Sequence, residues 1–174
     1  FIAADAVLPD FSLRGAMSVT KYTGSRPPSP PESMPLSPGV NLKQITDGTS
    51  KTLLSSEGLV PTTPGWAGAI GSTQYGNMGG GLFSAYETPN STVPDRIYGH
   101  CPQTAPTPDP TYVAPCTSQA HPGPGSGGGE FTYASARSLH AGGVNASMVD
   151  GSGKFVNDNV DRAVWRAAGT MSFD

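Results

Sequence analysis

The spacing of apolar and polar residues changes several times along this chain, and each change marks an element. From Ala16 to Tyr22 (AMSVTKY) apolar and polar positions alternate, as in a half-buried strand, so residues 1–22 read as an extended segment. Residues 23–39 (TGSRPPSPPESMPLSPG) cannot join a central sheet, because proline lacks the ladder donor. They read as a surface loop, partly in polyproline II. A short helical turn is expected from Asn41, broken at Asp47-Gly48, and residues 52–57 read as a strand. Residues 61–100 are Gly-rich with scattered aromatics (Trp66, Tyr75, Phe83, Tyr86), a pattern of short strands on long loops. Residues 102–130 read as a Pro/Gly-rich loop ending in the linker-like HPGPGSGGGE, and 131–136 as a strand. The clearest signal follows: 144–149 and 154–156 flank DGSG, a hairpin turn, since Asp-Gly tolerates positive φ. Beyond Asp158 the period lengthens. Val160, Val164, Trp165 and Ala168 form one apolar face of a short helix, capped by Asp158 or Asn159 and ended by a left-handed Gly169.

These elements predict a single domain over residues 1–174 of α+β, mainly β class. An antiparallel sheet is built around the 144–156 hairpin, with long Gly/Pro-rich loops and a short C-terminal helix burying Trp165.

Composition thins the expected core. Leu, Ile, Val and Phe total 30 of 174 residues, a share that suits disorder only when net charge is also high, and here it is −3. Gly and Pro number 41. A loop-rich β protein whose modest core is completed by neighbours fits both counts. Charged residues are 13%, against roughly 25% in an ordinary soluble domain, and no basic cluster could neutralise a run of phosphates. Nucleic acid is therefore not an expected partner. No apolar run approaches the roughly 20 residues that span a bilayer. The chain opens FIAADAVLPD without a signal peptide, so an export signal is expected to have been removed or to lie outside this sequence.

Cys101 and Cys116 bracket a Pro-rich stretch, which suggests a disulfide and an oxidising, secreted or cell-surface setting. Closing such a loop stabilises by on the order of 3 kcal/mol in the chain-entropy model. The competing reading, a metal held by His100, Cys101 and Cys116, lacks paired C-x-x-C spacing and a fourth ligand.

The densest stretch is SLHAGGVNASMVDGSGKFVNDNVDRAVWRAAG, where His140 precedes Asp150-Gly151 by nine intervening residues. It resembles the C-terminal signature of the prepilin-like family known as domain of unknown function 1559. His140, Gly142, Gly143, Val144, Asn145, Asp150, Gly151, Ser152, Phe155, Trp165, Arg166, Ala167, Gly169 and Thr170 carry the match. A second block of that family resembles ITDGTSKT (residues 45–52, with Asp47 and Gly48), followed by Leu53, Leu54 and Glu57. Ala141, Lys51 and Ser56-Glu57 depart from the family pattern, as does the start of the chain, where members carry a long hydrophobic helix. The resemblance implies a pilin-like globular head.

Within that signature His140 reads as structural, orienting the strand at Val144, and Asp150 as serving the hairpin turn through local N–H groups. The sharper alternative is a divalent cation held by His140 with Asp150, Glu57 or Asp47, since the resemblance is to pilin-like heads, some of which bind calcium in C-terminal loops; calcium prefers oxygen ligands to imidazole. Nothing recommends catalysis. There is no G-x-S-x-G elbow, Ser138 and His140 are a weak pair, and GNMGGG does not open a helix after a buried strand. The sequons at Asn90 and Asn145 are candidate glycosylation sites, and Ser29, Thr104 and Thr107 are candidates for O-linked sugars in the proline-rich loops. The expected function is a secreted structural subunit that self-assembles into an extracellular filament, tube or surface layer. The alternative is a pseudopilin-like secretion component, or a carbohydrate-binding module using Trp66, Tyr75 and Tyr86.

Overall fold

A computed structural model describes residues 16, 40–62, 70, 83–98, 101–103, 108–119 and 133–172. The expectations for 1–15, 17–39 and 121–130 lie outside these residues. The described chain is mainly β. After a 3-10 turn at Leu42–Gln44 come β1 (Leu53–Ser56), β2 (Asp95–Tyr98), β3 (Cys116–Gln119), β4 (Gly143–Met148), β5 (Gly153–Asn157) and the helix α1 (Arg162–Ala168).

The first sheet has the order β1-β4-β5, both pairs antiparallel. The β4–β5 hairpin is the one its sequence predicts. Gly151 takes φ 84°, the Met148 N–H donates to the Ser152 carbonyl at 2.8 Å, and the Gly151 N–H donates to the Met148 carbonyl. Asp150 Oδ1 accepts from the Ser152 hydroxyl at 2.7 Å and its N–H at 2.9 Å, and these donors hold the Asp150 carboxyl below the usual carboxylate range. Along β4 the pleat buries Val144, Ala146 and Met148 and turns Asn145 outward. The inward set packs with Leu53, Ala85, Ala136 and Trp165 into one core cluster. Trp165 is 2% exposed.

The helix starts later than its sequence suggests. Residues 157–160 form a turn in which the Asn157 side chain accepts the Asn159 N–H and the Asn157 carbonyl accepts the Val160 N–H. Asp161, not Asp158 or Asn159, is the cap, accepting from the N–H groups of Ala163 and Val164. Asp158 is engaged elsewhere, by the Asn90 amide. Gly169 ends the helix at φ −79°, in the right-handed region, so the expected left-handed cap is corrected.

The second sheet pairs β2 with β3 in parallel, Asp95 opposite Cys116 through Tyr98 opposite Gln119. Thus the stretch read as a loop over 102–130 contains a strand. The pairing is non-local and CTSQ is polar, so no periodicity betrays it. Cys101 and Cys116 are joined in a disulfide with a Cα–Cα distance of 5.7 Å. Both sit in a second core cluster with Ile70, Ile97, Tyr112, Ala114 and Ala134. Burial pushes the Tyr112 hydroxyl far above its usual range.

Residues 133–136 form no strand beyond one bridge between Tyr133 and Arg96. Their backbone groups are committed elsewhere: the Ala134 carbonyl accepts the Ser84 N–H, the Ala136 carbonyl accepts the Asn90 N–H, and the Ser135 N–H donates to Asp95 Oδ1. Asp95 and Arg137, both under 5% exposed, form a two-pronged ion pair with Nε–Oδ2 at 3.0 Å and Nη2–Oδ1 at 2.9 Å. Arg137 further donates to the carbonyls of Ser91 and Val93. Because Asp95 opens β2 and the Arg137 N–H donates to the Glu57 carbonyl just past β1, the pair ties one sheet to the other.

Candidate functional site

The 45–57 and 138–158 blocks, well separated in sequence, meet in space. The Asp47-Gly48 turn (φ 96° at Gly48) is closed by the N–H groups of Lys51 and Thr52 on the Gly48 carbonyl. The N–H groups of Val149 and Asp150 then donate to the carbonyls of Thr52 and Thr49, and Lys154 Nζ donates to the Ser50 carbonyl at 2.7 Å. One Asp-Gly turn is thereby buttressed by the other.

At the opposite end of β1 the register sets Ser56 against Ala146, which brings Glu57 beside Asn145. Glu57 Oε2 accepts the Asn145 N–H at 2.7 Å, and Oε1 accepts the Asn145 amide at 3.1 Å. His140 Nε2 lies 3.1 Å from the same Oε1. Partial burial pushes the Glu57 carboxyl up. The Asn145 donors and the His140 ring outweigh that and hold it below the usual glutamate range. The carboxylate closes a strand end that would otherwise present an unpaired N–H.

The turn from His140 into β4 is held from beneath. Gly142 takes φ 81°, and the Ser138 hydroxyl donates to the Gly143 carbonyl at 2.7 Å while accepting the His140 N–H at 3.1 Å. Gly143 admits no side chain, because a Cβ there would meet the Phe155 ring at 2.7 Å and the Val156 carbonyl. Asn90, with φ 49°, completes the support. Its Oδ1 accepts the Ser138 N–H, and its Nδ2 donates to Asp158 Oδ1 at 2.9 Å and to the Gly143 carbonyl.

Of the expected site residues, the structure therefore brings Glu57, His140 and Asn145 together, with Gly142 and Gly143 beside them. Asp150 engages Ser152, and Trp165 lies in the core. Both sequon amides donate within the fold, Asn90 to Asp158 and Asn145 to Glu57. His100, Ser29, Thr104, Thr107, Trp66 and Tyr75 lie outside the described residues. Tyr86 packs at a tilt against Tyr133, with centroids 4.9 Å apart and ring planes inclined by 42°, and carries the Arg166 guanidinium 4.2 Å from its ring. Among the described residues no group of three or more His, Cys, Asp or Glu is placed to hold a metal ion. His140 pairs with Glu57 while the Ser138 hydroxyl donates to a carbonyl, so the two do not form a nucleophile and base.

Besides the Asp95–Arg137 pair and the Asp161 cap, sequence reasoning missed the structural roles of Asn90 and Asp109. Asn90 was visible only as a sequon, though asparagine is a residue that tolerates the left-handed region. Asp109, buried, accepts from the hydroxyls and N–H groups of both Thr111 and Thr62, and these donors, Thr111 foremost, hold its carboxyl far below the usual range. Only its Asp-x-Thr spacing, an Asx-type turn, hinted at it.

Fold and site together define a mainly β domain whose signature residues brace backbone against backbone. The family model described as "Protein of unknown function (DUF1559)" matches residues 11–163, and the chain belongs to that family. No curated protein and no solved structure matches it. Among the described residues, no helix is long and apolar enough to cross a membrane.

Proposed function

We propose that this chain is a secreted structural subunit, without enzymatic activity, that assembles with copies of itself into an extracellular filament, tube or surface layer. The observation that carries the reading is the use made of the signature. Glu57 and Asn145, 88 residues apart, meet through a carboxylate that closes a strand end and that the His140 ring also contacts, and Ser138, Asn90 and Asp150 engage turns or backbone. Such a signature maintains a shape.

Composition supports the same reading. Among the described residues most buried apolar side chains fall in two small clusters, and a subunit with a thin private core gains most from burying more surface against copies of itself. The disulfide supports an oxidising exterior. Subunit contacts that repeat without closing generate a filament. The segment 1–22 supplies the link by joining a neighbour, and glycans, where attached, sit on the proline-rich loops.

Sedimentation velocity over a concentration series tests this. Large species should appear as concentration rises, persist in molar sodium chloride because few charges are available for interfaces, and dissociate in urea. A single monomer boundary at every concentration would reject the proposal.

A further inference from the structure

An apolar groove of about 660 Å³ opens between α1 and the inner face of the first sheet. Leu53, Met148 and Val156 form its sheet wall and Val160, Val164 and Trp165 its other wall, with Lys51, Lys154 and Asp47 also lining it. Val164 is 61% exposed although it belongs to this lining. In a chain this poor in apolar residues, a hollow against the first core cluster that is left open among the described residues is a place where burial remains to be gained.

The geometry points to one occupant: the segment Phe1–Leu13 of a second copy of this chain. This rests on the self-assembly reading above and names the surface that would accept the exchanged segment.

Three observations select it. First, FIAADAVL is apolar at seven of eight positions, so an extended chain through it is apolar on both faces. A strand of that kind asks to be covered on both sides, which a slot between a sheet and a helix provides. Second, the charges are complementary. Residues 1–13 carry Asp5 and Asp10 and no base, and the groove lining carries two lysines against one aspartate. Third, the chain is long enough to reach a neighbour: 33 residues lie between Leu13 and Asp47 at the groove, and at about 3.3 Å each their extended reach is roughly 110 Å.

The test uses the full chain in two variants. Val164→Glu blocks the groove at an exposed position and leaves the segment able to donate. Val7→Asp with Leu8→Asp spoils both faces of the segment and leaves the groove able to accept. Each variant alone should remain monomeric, and their mixture should form a 1:1 pair that grows no further. A fluorescein-labelled peptide of residues 1–13 should bind the Val7→Asp/Leu8→Asp chain saturably by anisotropy. Val164→Glu added to that chain should weaken binding about tenfold, the loss of one buried valine contact, while Val164→Leu should preserve it. If the wild type assembles and Val164→Glu assembles equally well, the self-assembly reading stands and the groove is overturned as its acceptor. If the peptide binds but the wild type stays monomeric at every concentration, the self-assembly reading fails and exchange between copies is overturned with it.

Discussion

The Asp95–Arg137 pair offers the most demanding test of how the two sheets are held together. Asp95→Asn keeps the shape of the side chain but removes its charge, leaving the guanidinium buried. In the wild type one carboxylate receives three bonds, from Arg137 Nε, Arg137 Nη2 and the Ser135 N–H, all between 2.9 and 3.0 Å. The substituted amide would present one acceptor oxygen, and its own hydrogens would face guanidinium hydrogens. Removing one partner of a buried ion pair costs about 3–5 kcal/mol, a large part of the roughly 5–15 kcal/mol that stabilises an ordinary domain. Replacing both partners, as Asp95→Asn with Arg137→Met, leaves no uncompensated charge and should recover more than half of that loss. The assay is urea unfolding followed by tryptophan emission, Trp165 being buried in the first cluster. A midpoint for Asp95→Asn within about 1 kcal/mol of wild type would refute the reasoning. So would a double variant as unstable as the sum of the two single changes, because the partners would then not be coupled.

Gly143→Ala should cost about 1–3 kcal/mol through displacement of the Phe155 ring and the Val156 carbonyl, read as a lowered urea midpoint; a neutral outcome would mean β5 gives way freely. Glu57 titrates below the usual glutamate value in the fold, so its contribution is fully present above that value and is lost as pH falls through the lower folded one. The midpoint difference between wild type and Glu57→Gln should accordingly be largest near neutral pH and shrink as the solution is acidified through the lowered folded value, whereas a difference unchanged with pH would contradict the assignment. Reducing the Cys101–Cys116 bond, whose partners are 15 residues apart, should add two hydrogens by intact mass and lower stability by on the order of 3 kcal/mol.

What the sequence made legible is what local chemistry decides. The β4–β5 hairpin follows from one Asp-Gly pair between apolar runs, and the Leu42–Gln44 turn follows from Asn41, whose side chain accepts the Lys43 N–H while Gln44 reaches back to the Asn41 N–H. The signature pointed to the right residues for the brace, since His140, Asn145 and Glu57 all belong to it, yet the pairing itself needed the β1–β4 register. The helix start was misplaced because Asp158, Asn159 and Asp161 are all acceptable caps by type. Asn90 decides among them by engaging the Asp158 side chain, and Asn157 by accepting the Asn159 N–H into a turn that precedes the helix. The parallel β2–β3 pair and the segment 133–136 were illegible for a deeper reason. Their backbone partners lie well away in the sequence, and a carboxylate 40 residues away takes the Ser135 N–H that a sheet ladder would use. No periodicity encodes such a contact.

Self-assembly is the central claim, and negative-stain electron microscopy of the purified chain at high concentration examines it most directly. Filaments, tubes or ordered sheets built from a repeating subunit are the predicted result, present in the wild type and lost when residues 1–22 are deleted. A field of uniform, isolated particles of monomer size at every concentration would contradict it.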